Sequence, residues 1–301
     1  MRRLSILLGA LTLAAMSYAQ TGKAMDGQGA WLDPDKTEPE GTHYGTFQSR
    51  LASSGVSYLI YLPPGYETSA PRRYPAVYWL HGMGGAQRSG ARFIAQLSPA
   101  IRAGKAPAMI AVLVNGLRDK WWCDSKDGKW PVESVIVKEL IPHIDRTYRT
   151  IPERGARAVE GFSMGGFGAP HLGFKYPELF GAVGMMAGAT DRVETIIAQR
   201  PPVFEKIFGD VEYARSINPV IELEKNISKI RGQTFIRVAV GDKDPGFDHS
   251  LLTHQLLDRL EVAHEYDIVP GVAHNIERVY AGLEEKKFGF YATAFREYAG
   301  K

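Results

Sequence analysis

The chain has 301 residues, of which 45% are hydrophobic, 36 are basic and 33 are acidic, giving a formal net charge of +3. This balance leaves no basic stripe for nucleic acid or an anionic membrane, so neither is an expected partner. The single cysteine, Cys123, permits no internal disulfide, so a hydrophobic core must stabilise the fold.

The first 19 residues have the composition of a cleavable signal peptide. Arg2 and Arg3 precede an apolar run, Leu4–Met16, and small residues follow at Ser17 and Ala19. The run is shorter than the roughly 20 residues that a membrane span requires. We therefore predict cleavage after Ala19 and a periplasmic or secreted mature protein.

Strands alternate with helices over residues 46–299, which we predict to be one α/β domain preceded by a leader loop, residues 20–45. The predicted strands are Thr46–Leu51, Val56–Leu62, Tyr74–Leu80, Met109–Val114, Ala156–Glu160, Ala182–Ala187, Thr234–Val240 and His264–Val269. The predicted helices are Ser89–Arg102, Val132–Tyr148, Met164–Lys175, His249–Leu260 and Phe288–Tyr298, with a mostly helical insertion at 191–231. This alternation predicts a mostly parallel central sheet with helices on both faces.

A G-x-S-x-G motif, Gly161-Phe-Ser-Met-Gly165, lies between a predicted strand and a predicted helix, the context of a nucleophile elbow. A serine on such a turn has a strained backbone, and glycines two positions away avoid collisions with neighbouring segments. The turn also directs the first amides of the helix towards the serine, where an oxyanion would form. We therefore predict Ser163 as the nucleophile and the Met164 N–H as an oxyanion donor.

A serine nucleophile needs a base, and a serine at a nucleophile elbow takes it from a loop that follows a later strand. His249 and His254 lie on a predicted helix, and His264 begins a predicted strand. His274 lies on the loop after that strand, so we predict it as the base.

The acid that orients the base is expected after the strand Thr234–Val240. Asp242 and Asp244 both lie there, and Asp248 is a more distant candidate. An acid several residues past the strand reaches the histidine loop better than one at the strand's tip. We therefore favour Asp244, with Asp242 capping the turn.

The second oxyanion donor is expected from the glycine-rich loop His81-Gly-Met-Gly-Gly85, which follows an early buried strand. Its glycines allow the backbone to approach a substrate closely. We favour the Met83 N–H, with Gly82 and Gly84 as alternatives, and expect His81 to be a structural residue of the loop.

Taken in order, these segments resemble the esterase D / feruloyl esterase-like family of α/β-hydrolases. The matching segments are Tyr78-Trp-Leu-His-Gly-Met-Gly-Gly85, Trp130-Pro-Val-Glu-Ser134, Glu139-Leu-Ile-Pro-His-Ile-Asp145, Gly161-Phe-Ser-Met-Gly-Gly166, Gly241-x-x-Asp244 and the Gly-x-x-His that ends at His274. The resemblance implies carboxylester hydrolysis with Ser163 as nucleophile, Asp244 as orienting acid and His274 as base. It also supports Met83 and Met164 as the oxyanion donors.

Family members act on feruloyl or acetyl esters of plant polysaccharides, on S-formylglutathione or on siderophore esters, and some transfer acyl groups to sugars. Trp121, Trp122 and Trp130 lie on a loop after a central strand, at the edge where ligands bind. Their rings are predicted to stack on a sugar or a phenolic acyl group, with core packing as the alternative.

Together with the predicted signal peptide, the tryptophans favour an exported serine carboxylesterase that hydrolyses feruloyl or acetyl esters of plant polysaccharide fragments. An acyltransferase with the same triad, a general short-chain carboxylesterase and a non-catalytic carbohydrate-binding protein are the alternatives. The chain has no dinucleotide fingerprint, P-loop lysine, H-E-x-x-H motif or complete calcium loop, so neither a cofactor nor a metal is expected. No oligomeric state is predicted.

Overall fold

The computed structural model describes residues 29–68, 71–188, 197–198 and 201–298. The predicted signal peptide lies outside these residues, as do the start of the leader loop and part of the predicted insertion. Among the helices in the described ranges, none is both long enough and apolar enough to cross a membrane.

Eight strands of the described chain form one sheet. They are β1 Thr42–Ser49, β2 Ser54–Tyr61, β3 Ala76–Leu80, β4 Ile110–Val114, β5 Arg157–Phe162, β6 Ala182–Met186, β7 Phe235–Gly241 and β8 Glu265–Val269. Their order across the sheet is β1-β2-β4-β3-β5-β6-β7-β8. Strand β2 is antiparallel to both of its neighbours, whereas all pairs from β4 to β8 are parallel.

The predicted mostly parallel sheet is confirmed, and each predicted strand is present with ends shifted by at most four residues. The largest shift is at β1, which begins at Thr42 and not at Thr46. Strands β3 and β4 are buried along their whole length, which explains why both are continuous apolar runs.

The helices of the described chain cover both faces of the sheet. They are α1 Ala91–Arg102, α2 Val132–Val135, α3 Ile141–Thr147, α4 Met164–Lys175, α5 Pro201–Val203, α6 Val211–Ser216, α7 Pro219–Lys225, α8 Ile227–Ile230, α9 Phe247–Arg259, α10 Ile276–Gly282 and α11 Lys286–Ala294. Buried residues of α1, α10 and α11 form one apolar cluster, and those of α2–α4 and α6–α9 form another. The sheet therefore lies between two hydrophobic layers.

The predicted helix Val132–Tyr148 is interrupted by a π-helical segment, Ile136–Leu140, between α2 and α3. Pro142 has no N–H to donate to the carbonyl of Lys138, four residues earlier and inside this segment. Apolar periodicity is insensitive to this missing donor, which is why the sequence predicted one regular helix.

Helix α4 follows the predicted nucleophile and is buried at every residue except Lys175. Its small residues allow this close packing. The ring of Trp122 lies between two glycines: a Cβ at Gly168 would be 2.4 Å from Trp122 Cγ, and one at Gly116 would be 2.0 Å from Cζ3. Because the ring is confined on both sides, it has no room to move away from a larger residue.

We therefore predict that Gly168→Ala destabilises the protein by about 1–3 kcal/mol through overpacking. The matched control is Gly289→Ala, also within a helix, where a Cβ would meet nothing within 4 Å. The control should be neutral or more stable by up to about 1 kcal/mol, because alanine favours helix. Thermal unfolding of both variants measures the difference, and equal melting temperatures would contradict the confinement of Trp122.

Candidate active site

Ser163 occupies the sharp turn between β5 and α4, with φ of 59° and ψ of −114°. The turn is crowded: a Cβ at Gly161 would lie 2.2 Å from Gly165 O, and a Cβ at Gly165 would lie 2.1 Å from Leu80 O. The Ser163 N–H donates to Met186 O at 3.0 Å, which attaches the turn to β6. Only glycine fits at both flanking positions, so the motif is explained by contacts on both sides of the serine.

The structure brings together the three residues predicted as nucleophile, base and acid. His274 Nε2 lies 2.8 Å from Ser163 Oγ, and His274 Nδ1 lies 2.8 Å from Asp244 Oδ2. The ionised carboxylate only accepts, so Nδ1 carries the hydrogen and Nε2 is left to accept from the serine hydroxyl. Chemically, this arrangement can remove the hydroxyl proton as the oxygen attacks an electrophile.

The carboxylate of Asp244 is held in place by its surroundings. Its side chain is only 1% exposed, and its second oxygen accepts the Gly246 N–H at 2.7 Å. The His274 ring is 32% exposed and packs on Phe162, with 4.6 Å between ring centroids. The acid is therefore shielded from water, while the base remains accessible to a substrate.

Asp242, the alternative acid, has a different partner. Its Oδ1 accepts the Gly271 N–H at 2.6 Å, so the side chain braces the loop that carries His274. Lys243 N–H also donates to Val272 O at 3.0 Å. The loops after β7 and β8 are thus joined by hydrogen bonds, and this joining sets the distance between Asp244 and His274.

The loop after β3 lies directly against the nucleophile, since a Cβ at Gly82 would be 3.2 Å from Ser163 Cβ. Of the alternatives to Met83, Gly84 already donates its N–H to Arg118 O at 2.7 Å. Met164 is the first residue of α4, so its amide lies at the N-terminal end of that helix. The two predicted oxyanion donors thus belong to the two segments that adjoin Ser163.

His81 is fully buried, and this burial lowers its pKa to about 4, so the ring is neutral at pH 7. Its Nδ1 lies 2.8 Å from the carbonyl oxygen of Gly82, which can only accept, so Nδ1 donates. Gly85 N–H donates to the same oxygen at 3.0 Å. The Gly82 carbonyl and the Met83 N–H belong to one trans peptide group and point in opposite directions. The two bonds to the carbonyl therefore also set the direction of the Met83 N–H.

Two of the three predicted substrate-binding tryptophans are core residues, which corrects that prediction. Trp122 is 0% exposed, and its Nε1–H donates to His81 O at 3.2 Å beneath the glycine-rich loop. Trp121 is 5% exposed and packs edge-on against Phe167 and Phe208. Neither ring presents an open face to a ligand.

Trp130 is half-buried, and the ammonium of Lys120 lies 4.8 Å from its ring centroid. One face of this ring is therefore already in contact with a cation. In a sequence, a buried loop tryptophan and a ligand-stacking one have the same signature, so the burial of Trp121 and Trp122 was not predictable.

Glu133 forms a buried network that the sequence did not predict. It accepts from His171 Nε2 at 2.7 Å and from Lys175 Nζ at 2.6 Å, and also from the hydroxyl of Tyr176. Burial raises the pKa of Glu133, but the hydrogen bond and charge of His171, together with Lys175, outweigh it and bring the pKa to about 2. Glu133 thus joins α2 to the far end of α4 and has no contact with Ser163.

A cavity of about 570 Å³ lies beside the glycine-rich loop, between the leader and the loops after β3 and β4. Its polar lining includes Asp33, Arg88 and Arg118, and none of the three loop tryptophans contributes to it. Asn115 Nδ2 donates to the carbonyls of Ala30 and Trp31, both at 3.0 Å, which attaches the leader to this edge.

The family model named Esterase, with the description "Putative esterase", matches residues 52–289. The chain belongs to this family. The resemblance to esterase D and feruloyl esterases in the sequence is thereby confirmed, as is the expected enzyme class of the family, carboxylic ester hydrolases.

Two relatives are similar in sequence over part of their length. An endo-1,4-beta-xylanase/feruloyl esterase of Xylanibacter ruminicola is 32% identical over 193 residues, which are 60% of this chain and 26% of that protein. An esterase of Mycobacterium tuberculosis is 32% identical over 160 residues, 52% of this chain and 34% of that protein. The chain thus spans about a quarter to a third of the length of these curated relatives.

Solved structures share the fold. A ferulic acid esterase has a TM-score of 0.73 at 23% identity, covering 84% of this chain and 98% of its own. An S-formylglutathione hydrolase from Agrobacterium tumefaciens has a TM-score of 0.69 at 16% identity, covering 84% and 95%. The expected α/β-hydrolase fold is confirmed.

The proposed role of His81 in orienting the Met83 amide can be tested with a short p-nitrophenyl ester as the substrate. His81→Phe keeps a ring against Trp122 but removes one of the two donors to the Gly82 carbonyl, so the orientation of the Met83 amide should be less well fixed. We expect kcat to fall by about 10- to 100-fold with little change in KM, since complete loss of one oxyanion donor costs about 10²–10³ in kcat.

The control is His143→Phe, at a ring that packs on Phe47. It should leave kcat unchanged. A rise in KM alone for His81→Phe, or equal kcat losses in both variants, would show that His81 does not orient the amide.

Proposed function

We propose that this protein is a serine carboxylesterase whose catalytic triad is Ser163, His274 and Asp244. The observation that carries the proposal is the pair of 2.8 Å hydrogen bonds through which His274 bridges the other two side chains. A histidine in this position accepts the serine proton from one nitrogen while its other nitrogen stays bonded to the acid.

Acylation begins when Ser163 Oγ attacks the ester carbonyl and His274 Nε2 takes the hydroxyl proton. The negative charge that develops on the carbonyl oxygen is stabilised by the Met83 and Met164 amides, which are already oriented by the chain. Collapse of this intermediate breaks the bond to the alcohol, and the proton on His274 passes to the leaving oxygen.

Deacylation repeats these steps with water as the nucleophile. His274 removes a proton from the water, the same amides stabilise the second oxyanion, and the proton returns to Ser163 as the acid leaves. Asp244 keeps one imidazole tautomer in place and stabilises the imidazolium in both halves of the cycle.

We propose feruloyl or acetyl esters of plant polysaccharide fragments as the substrates. The Xylanibacter relative is named as a xylanase and feruloyl esterase. The cavity beside the glycine-rich loop supports a substrate whose alcohol part carries several hydroxyl groups. Asp33 supplies hydrogen-bond acceptors in its lining, and Arg88 and Arg118 supply donors. Export through residues 1–19 stays a prediction, and it would bring the enzyme to such fragments outside the cytoplasm.

A general short-chain carboxylesterase is the second candidate. The burial of Trp121 and Trp122 favours it, because these rings cannot clamp a phenolic acyl group as the sequence suggested. The two functions predict opposite preferences among esters and are therefore separable by kinetics.

The triad is tested by Asp244→Asn, with Asp242→Asn as the matched control and Ser163→Ala as the baseline. Asp244→Asn should lower kcat by about 10²–10⁴, because the imidazole tautomer is no longer held. Ser163→Ala should lower kcat by about 10⁴–10⁶ with the fold intact. Asp242→Asn should cost far less, since the asparagine oxygen can still accept the Gly271 N–H. The reverse order of the two aspartates would assign Asp242 as the acid.

The substrate class is tested by kcat/KM on p-nitrophenyl ferulate and p-nitrophenyl acetate, which share one leaving group, and by turnover of acetylated xylan. At least a tenfold preference for the ferulate over the acetate, or turnover of acetylated xylan, is expected for a polysaccharide esterase. A preference for the acetate with no turnover of acetylated xylan would establish the general carboxylesterase. Adding a sugar acceptor and analysing the products separates hydrolysis from acyl transfer, which would yield a new sugar ester.

A further inference from the structure

Three chemically active side chains meet on the surface where the end of α9 adjoins the start of β8. His254 and Asp258 are four residues apart on α9 and therefore share a face of the helix, and His264 directly precedes β8. His254 Nδ1 lies 2.8 Å from His264 Nε2. The Asp258 carboxylate lies 3.5 Å from His254 Nε2 and 4.0 Å from His264 Nε2.

The hydrogen bonds of His264 determine where its lone pair points. Its Nδ1 is 2.8 Å from Val262 O, and because a carbonyl only accepts, this nitrogen carries the hydrogen. Nε2 is then unprotonated and directed at His254. A metal-binding histidine usually donates its second nitrogen to a carbonyl or carboxylate in this way, which fixes the ring and its tautomer.

Both rings are held in place before any ligand binds. The His264 side chain is only 3% exposed. The His254 ring stacks on Tyr266 with 4.0 Å between centroids and 13° between planes. Asp258 is 62% exposed and its carboxylate can turn towards the two nitrogens. Binding would therefore cost the entropy of one surface side chain only.

We propose that His254, Asp258 and His264 bind one Zn²⁺ ion. Two imidazole nitrogens and one carboxylate oxygen are a ligand set that Zn²⁺ favours, with water in the fourth position. Zn–N bonds of about 2.0–2.1 Å in tetrahedral geometry place ligand atoms about 3.3 Å apart. One ligand atom from each side chain already lies within 4.8 Å of the others.

Zinc binding replaces the hydrogen bond between the two rings. The proton that His254 Nδ1 donates to His264 Nε2 moves through solvent to His254 Nε2, so the ring stays neutral, and Nδ1 of His254 and Nε2 of His264 then each give a lone pair to the metal. No oxidant or reductant takes part. The required movement is small, because the two nitrogens separate from 2.8 Å to only about 3.3 Å.

The location of the site makes its role structural. Helix α9 begins three residues after Asp244, and β8 ends five residues before His274. The zinc ligands lie towards the opposite ends of both elements, so the ion would cross-link α9 to β8 at the side away from the triad. These two elements lead from Asp244 and to His274. In the described sheet β8 is an edge strand that pairs only with β7, so a cross-link there restrains the least supported strand.

Binding is measured with untagged full-length protein that has been dialysed against EDTA and then freed of the chelator. Calorimetric titration with ZnCl₂, confirmed by competition with a chromophoric chelator, should give one ion per chain, and Zn²⁺ should raise the melting temperature. His264→Gln and Asp258→Asn should each weaken Zn²⁺ binding at least tenfold and reduce the thermal shift. Asp258 is exposed, so its variant tests the site without disturbing the core.

The control is His43→Gln, an exposed histidine beside Glu38 on β1, which should bind Zn²⁺ like the wild type. Activity towards p-nitrophenyl acetate at 25 °C should be unchanged in the site variants, so this test is independent of the triad. The proposal is overturned if the wild type binds no Zn²⁺, or if His264→Gln and Asp258→Asn bind it as tightly as the wild type.

Discussion

The strained backbone of Ser163 is the constraint on which the candidate active site, at this edge of the sheet, depends. Its φ of 59° and ψ of −114° cost on the order of 1–3 kcal/mol, which the surrounding structure must offset. The turn persists because β5 is an inner strand of the sheet and α4 is buried along nearly its whole length. Glycine at 161 and 165 is the steric condition for that packing, since any Cβ there would meet backbone atoms within about 2 Å.

The same packing extends from the elbow to the glycine-rich loop. Trp122 fills the space that Gly168 leaves on α4, and its indole N–H holds the carbonyl of His81. His81 in turn holds the carbonyl of Gly82. Ser163 and the glycine-rich loop are thus supported by one continuous set of contacts, and Trp122 contributes to the site by packing beneath it.

Much of this could be predicted from the sequence, because the decisive signals are local. Continuous apolar runs identified the inner strands, and the elbow and the loop after β8 are short motifs beside those strands. The order of Ser163, Asp244 and His274 along the chain was sufficient to bring them to one edge. Asp244 could be preferred over Asp242 because an acid several residues past β7 reaches His274, whereas Asp242, directly after the strand, reaches only Gly271 of the same loop.

The remaining features depend on contacts between distant segments. Helix α10 was not predicted, although Asn275 caps its N-terminus by accepting the Arg278 N–H, because its seven residues are too few to show a clear helical periodicity. The burial of the tryptophans, the Glu133 network and the meeting of His254 with His264 arise only when helices pack on the sheet. A histidine on a helix and another before a strand carry no shared sequence signal, so no metal site was expected.

Two buried ionisable side chains, His81 and Glu133, make the stability of this region depend on pH. Burial lowers the pKa of His81 from 6.5 to about 4, so between these values the unfolded chain binds a proton that the folded chain excludes. Stability from this residue is therefore lost as pH falls from 6.5 towards 4. Despite its burial, Glu133 has its pKa lowered from 4.5 to about 2 by His171 and Lys175, so its contribution is lost only below pH 4.5. The support of the glycine-rich loop thus weakens at a higher pH than the link between α2 and α4, because no partner would neutralise a charge on the buried imidazole.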